Sequence, residues 1–164
     1  MTSLPEFCQW LQNTPWGTGI RESTWVFPII EGTHTLAIAL SVGTLLIVDL
    51  RLAGILMRRE PVSQVSSQLM PWSVSGFAIM FVTGALLFMS QAAKAYGSVF
   101  FRIKVLLLVL AGINALVFEL TLRRSIKTWD AAERPPIRAR LAGALGIVLW
   151  AGVIAAGRTM AYNF

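Results

Sequence analysis

Residues 25–50 read WVFPIIEGTHTLAIALSVGTLLIVDL, and their composition decides the fold class. The stretch is long enough to cross a bilayer core as a helix, which takes about 20 mostly apolar residues. Two ionisable groups, Glu31 and His34, lie one turn apart within it, and His34 is the only histidine in the chain. Three further stretches have the same character, at about 72–91, 100–122 and 140–162. Between them lie polar connections that carry Pro61, Pro71 and the Pro135–Pro136 pair, each expected to break a helix. The fold class expected is all-α, an integral membrane four-helix bundle over 25–164, preceded at 1–24 by an amphipathic segment.

Composition agrees with this class. The 164 residues are 55% hydrophobic, and the mean hydropathy of +0.66 is well above that of a soluble domain. The first residues lack the basic start, apolar core and small-residue cleavage site of a signal peptide, so the first span is expected to direct insertion. Cys8, the single cysteine, cannot form an internal disulfide. The net charge of +6 is read as topology rather than nucleic-acid binding. Nine of the fourteen basic residues (Arg51, Arg58, Arg59, Arg123, Arg124, Lys127, Arg134, Arg138 and Arg140) fall in or beside the first and third connections. The positive-inside rule therefore puts those connections in the cytoplasm and both termini outside, in a bacterial inner membrane. Trp10, Trp16 and Trp25, scattered among polar residues, suit a segment lying in the outer interface.

Polar groups at membrane depth are costly and therefore mark functional sites by default. By helix rise, His34 lies about 13 Å and Glu31 about 9 Å below the start of the first span. Arg102 and Lys104 open the third span on the same side, and Arg158 lies about one turn from the end of the fourth. Five ionisable groups from three helices thus share one leaflet. Glu31 and His34, three residues apart, share a face, so the carboxylate is placed to orient the imidazole. Arg102 and Lys104 point about 200° apart, so one of them is expected to snorkel to the interface. Near the other end, Asp49, Arg51, Glu119, Arg123 and Arg124 read as ion pairs locking the first span to the third, with a proton route as the alternative. Asn114 reads as an interhelical hydrogen bond. The glycines, among them Gly43, Gly76, Gly84, Gly143, Gly146, Gly152 and Gly157, read as close helix contacts.

One histidine cannot by itself hold zinc or copper, and the six methionines show no tight Met-x-x-Met spacing. One imidazole does suffice for haem, whose propionates seek arginine or lysine near the surface. His34 as axial ligand, with Lys104, Arg102 and Arg158 as second-ligand or propionate partners, matches those needs. No Cys-x-x-Cys-His is present, so the expected cofactor is non-covalent haem b. No Gly-x-Ser-x-Gly elbow or Gly-rich phosphate loop occurs.

Two segments carry a resemblance. EGTHTLAIALSVGTLLIVDLRL (31–52) is similar to a first core helix in which a His is followed nine residues later by Gly, here His34 and Gly43. FFRIKVLLLVLAGINALV (100–117) resembles a later helix in which a Lys begins a Leu-rich run and a small or amide residue follows ten positions on, here Lys104 and Asn114. The pattern resembles that of the HemJ-type protoporphyrinogen oxidases and, more loosely, copper-resistance D-type membrane domains. It is also similar to small four-helix bacterial inner-membrane proteins of unassigned function, through a Trp-x-x-Pro-x-x-Glu-x-x-His start and an Asp-Leu-Arg-Leu exit. The HemJ resemblance implies a haem b site in which His34 and Lys104 matter. The expected function is therefore electron transfer or oxidation of an amphipathic substrate, with quinone as an acceptor. The alternative is a non-enzymatic transport or structural subunit. The partners expected are the lipid bilayer, a quinone or redox protein, and further copies of the chain.

Overall fold

In the computed structural model, residues 3–162 are described, without the side chains of 122–124. Two short helices, α1 (Leu4–Gln12) and α2 (Pro15–Glu22), precede the long α3 (Val26–Leu52) and α4 (Val62–Ser90). A short α5 (Ala92–Gly97) leads into α6 (Val99–Val117), a π turn at Phe118–Leu122 and a 3-10 segment at Arg123–Thr128, and α7 (Ile137–Tyr162) closes the fold. Four of these helices are long and apolar enough to cross a membrane: Val26–Leu52, Val62–Ser90, Val99–Thr121 and Ile137–Tyr162. The protein is thus a multi-pass membrane-type helical bundle, in which successive long helices run antiparallel.

Pro61 precedes the first residue of α4, and the Pro135–Pro136 pair precedes α7, both positions where a missing N–H costs nothing. Pro71 departs from expectation. It lies inside α4, which begins at Val62 rather than at Trp72. The early turns are held in place by packing: Val62 and Val65 are buried in a cluster with Val48, Leu52 and Ala139. Asp130 reinforces this end by accepting from the Ser63 N–H at 2.7 Å, while its own carbonyl accepts from Val62 at 3.1 Å. A single lost hydrogen bond at Pro71 is outweighed by this anchoring.

Helix α3 is central, packed on α4 along one side and on α7 along the other, and α6 packs on α7. The main core joins Val42, Ala111, Leu149, Trp150 and Val153, with Phe77 and Leu107 against it. Helix α4 meets α6 through Phe88 stacked on Phe101 at 5.4 Å, and meets α7 through Phe77, whose ring lies 5.4 Å from that of Trp150. Helix α6 is the most exposed span, only 6% of its apolar window being buried, so most of its surface is left for lipid.

The close helix contacts are made by glycine. A Cβ at Gly76 would stand 2.8 Å from the Ser41 backbone nitrogen, which fixes how near α4 comes to α3. On α7, Gly143 meets Leu52, Gly152 meets Leu107, and Gly157 meets Lys104. These α7 glycines receive neighbours from their own chain, as expected of close helix contacts.

At the α4–α5 corner the first two helices are tied down. Arg21 donates to the carbonyls of Gln12 (3.1 Å) and Ser90 (3.2 Å), and Gln12 accepts from the Ala93 N–H. Cys8, Gly17 and Ile20 face inward, while Leu4, Phe7, Trp10 and Trp16 are exposed. Helices α1 and α2 thus turn one face to the bundle and leave a largely apolar face outward.

Candidate functional site

His34 projects from α3 toward α4. Its Nδ1 lies 2.9 Å from Thr83 Oγ1, and the ring edge packs on Gly84, where a Cβ would come within 3.1 Å of Cε1. The hydroxyl hydrogen of Thr83 already has an acceptor, the Ile79 carbonyl at 2.7 Å. With its one hydrogen directed at that carbonyl, Thr83 Oγ1 accepts from the imidazole. Nδ1 is therefore the protonated nitrogen, and in the neutral ring the lone pair lies on Nε2. An imidazole held in this way is oriented as metal-ligating histidines are, the second nitrogen being fixed by a hydrogen bond to its neighbour.

Thr83 thus fills the role expected of Glu31. The Glu31 side chain is exposed, because α3 turns its His34 face to α4 and leaves Glu31 pointing away from the bundle. Nothing in the sequence marked Thr83, since a threonine bonded to the carbonyl four residues back is ordinary in a membrane helix.

Lys104 of α6 is half-buried and runs its side chain along Gly157 of α7. Like His34, it is turned toward a neighbouring helix and only partly exposed. The two arginines do not join them. Arg102 is exposed, lies 5.5 Å above the Tyr96 ring and donates to the Tyr96 carbonyl. Arg158, also exposed, lies 5.5 Å above Tyr162 and donates to its hydroxyl. In both, the guanidinium rests over an aromatic ring outside the bundle interior. The five expected residues therefore divide into an inner pair, His34 and Lys104, and an outer set of Glu31, Arg102 and Arg158.

Below His34 the α3–α4 seam continues with polar contacts. Thr44 and Ser73 hydroxyls are 2.6 Å apart, and Ser41, fully buried, donates to the Ala37 carbonyl. Asn114 donates to the Ala142 carbonyl at 3.0 Å, joining α6 to α7.

At the opposite end the expected ion pairs give way to a different arrangement. Asp49 faces α7, where its carboxylate lies against Gly146 and its carbonyl against Gly143. Arg51, two residues on and so on another face, is fully buried and donates to three loop carbonyls: Glu60 at 2.8 Å, Asp130 at 3.4 Å and Ala132 at 3.1 Å. It thus clamps the two connections of the basic end together. The side chains of Arg123 and Arg124 lie outside the described residues, so the expected pairing of Glu119 with them has no description. Among the described residues no group of three or more His, Cys, Asp or Glu side chains could hold a metal ion.

Residues 22–163, covering all four spans and the His34 region, match the family of unknown function DUF6644. The chain belongs to that family. No curated protein and no solved structure matches it. In this DUF6644 protein the matched region begins at the end of α2 and leaves out α1.

Proposed function

We propose that this DUF6644 protein is a membrane haem b protein, with His34 Nε2 as the iron ligand, acting in electron transfer or in oxidation of an amphipathic substrate such as a quinol. One observation carries the reading: the Thr83 hydroxyl, its own hydrogen directed at the Ile79 carbonyl, is placed to accept from Nδ1–H, which leaves the lone pair on the other imidazole nitrogen. The resemblance of the His34 and Lys104 segments to HemJ-type helices supports the same assignment.

The residues present fit such a group in part. A single oriented imidazole meets the need for an axial ligand, and Lys104, packed along Gly157, would serve as a second ligand or as a cationic partner. Helices α4 and α6 touch through Phe88 and Phe101, and α6 leaves most of its apolar surface to the bilayer, the side from which a flat ring system would enter. The propionate partners fit less directly, since Arg102 and Arg158 rest on Tyr96 and Tyr162 and would have to turn inward. Bound haem supplies one-electron chemistry. The chain's own contribution is to hold the imidazole in one tautomer, to place a cation beside it, and to surround both with apolar side chains that exclude water. In this reading the basic end is cytoplasmic, both termini are outside, and the host membrane is a bacterial inner membrane.

Haemin titrated into the detergent-solubilised protein tests the reading. A saturable Soret shift at one equivalent, lost in His34→Ala, is the expected result. A wild-type titration that matches His34→Ala overturns it and favours a transport or structural subunit, in which His34 and Thr83 serve only to join α3 to α4.

A further inference from the structure

The connection between α3 and α4 carries a second site. Helix α3 ends at Leu52, the φ of +75° at Gly54 turns the chain back, and the Ile55 and Leu56 N–H groups both donate to the Leu50 carbonyl. Met57 holds a left-handed φ of +51°, a conformation that a side-chain-bearing residue adopts only when its surroundings impose it. The surroundings are identifiable: Arg51 donates to the Glu60 carbonyl, and the Glu60 N–H donates back to the Met57 carbonyl. The loop is therefore fixed from below by a buried guanidinium.

What the loop displays is unusual for a segment outside the spans. Ile55, Leu56 and Met57 are all exposed, at 62%, 42% and 42%, and Arg58 and Arg59 follow immediately. Ile55, Met57, Arg58, Arg59 and Glu60 line a shallow concavity of about 460 Å³. Its apolar residues follow directly on the end of a candidate membrane span, and its two arginines follow them.

We infer that this concavity binds the headgroup of an anionic phospholipid in the leaflet at the basic-loop end. The arginine forks take the phosphodiester, and Ile55 and Met57 rest against the glycerol and upper acyl region. Charge complementarity and continuity with the span select a lipid as occupant. The Glu60 carboxylate on the rim opposes the phosphate and favours headgroups that carry a hydroxyl or ammonium donor of their own. The site is independent of the haem reading, since it lies at the other end of the bundle.

Native mass spectrometry of the detergent-purified full chain, offered equal phosphatidylglycerol and phosphatidylcholine, tests this. The wild type is expected to retain phosphatidylglycerol preferentially, with about a 5-fold loss of that preference for each of Arg58→Gln and Arg59→Gln, from ~1 kcal/mol per basic side chain at an anionic surface. Ile55→Ser with Met57→Ser is expected to weaken retention of both lipids. These side chains are exposed, and an unchanged circular dichroism spectrum verifies folding in each variant. Lys127→Gln with Arg134→Gln, exposed cations of the other basic connection, is the control for net charge. An equal loss in that control, an unchanged preference in the arginine variants, or displacement of lipid by millimolar inorganic phosphate would overturn the assignment.

Discussion

Replacing Gly76 by alanine tests the α3–α4 seam on which the orientation of His34 depends. The new Cβ would stand 2.8 Å from both the Cβ and the backbone nitrogen of Ser41. Carbon contacts are at their best near 3.5–4.0 Å, so the helices must part by about 1 Å. Overpacking of this kind costs about 1–3 kcal/mol. The same movement stretches two hydrogen bonds across the seam, Thr44–Ser73 at 2.6 Å and His34–Thr83 at 2.9 Å. Lengthened by about 1 Å, both pass the limit at which a hydrogen bond persists. At ~0.6 kcal/mol each in a membrane, they add roughly 1 kcal/mol to the cost. Alanine also gains up to ~1 kcal/mol of helix propensity over glycine, and the comparison must remove that gain. Gly43→Ala supplies it, because a Cβ there meets nothing within 4 Å. Gly76→Ala is therefore expected to be about 2–4 kcal/mol less stable than Gly43→Ala, measured by reversible unfolding in mixed micelles. Equal stability of the two variants would refute the close approach and, with it, the geometry assigned to His34.

Three further outcomes are expected. Arg51→Met leaves the Glu60 and Ala132 carbonyls without this donor and the Asp130 carbonyl with Val62 alone, and should cost about 3 kcal/mol, with faster proteolysis of both basic connections; wild-type stability and cleavage would show that the clamp is unimportant. Because His34 is the only histidine, its ring nitrogens can be read directly by 15N NMR: a protonated Nδ1 and an unprotonated Nε2 are expected in the neutral form, and Thr83→Val should abolish that preference. Asn114→Leu removes one α6–α7 hydrogen bond and should cost only ~0.6 kcal/mol, so a loss of several kcal/mol would give the amide a larger role than the Ala142 contact explains.

Much of this architecture is legible in the sequence, because lipid imposes a simple rule: about 20 apolar residues in one helix. The spans at 25–50, 100–122 and 140–162 follow from it to within a few residues. Helix α4 does not, since its first turns are polar, contain a proline, and owe their helicity to Val62 and Val65 packing on a distant segment. The functional region divides in the same way. His34 and Lys104 are recognisable because an ionisable group at membrane depth has few reasons to be there. Which group completes the imidazole is not readable from spacing. Glu31 satisfies the local geometry, yet the rotation of α3 turns the ring toward Thr83 on another helix. Arg51 is hidden for a related reason: by composition it is one more topology-setting cation, and only the fold shows it buried beneath two loops.

The most direct test of the account is the reduced-minus-oxidised absorbance spectrum of protein purified from a haem-replete host, recorded beside His34→Ala of equal helicity. A b-type α band and Soret shift in the wild type, absent from the variant, is the predicted result. A featureless wild-type spectrum from folded protein would contradict it and leave His34 and Thr83 as an interhelical hydrogen bond.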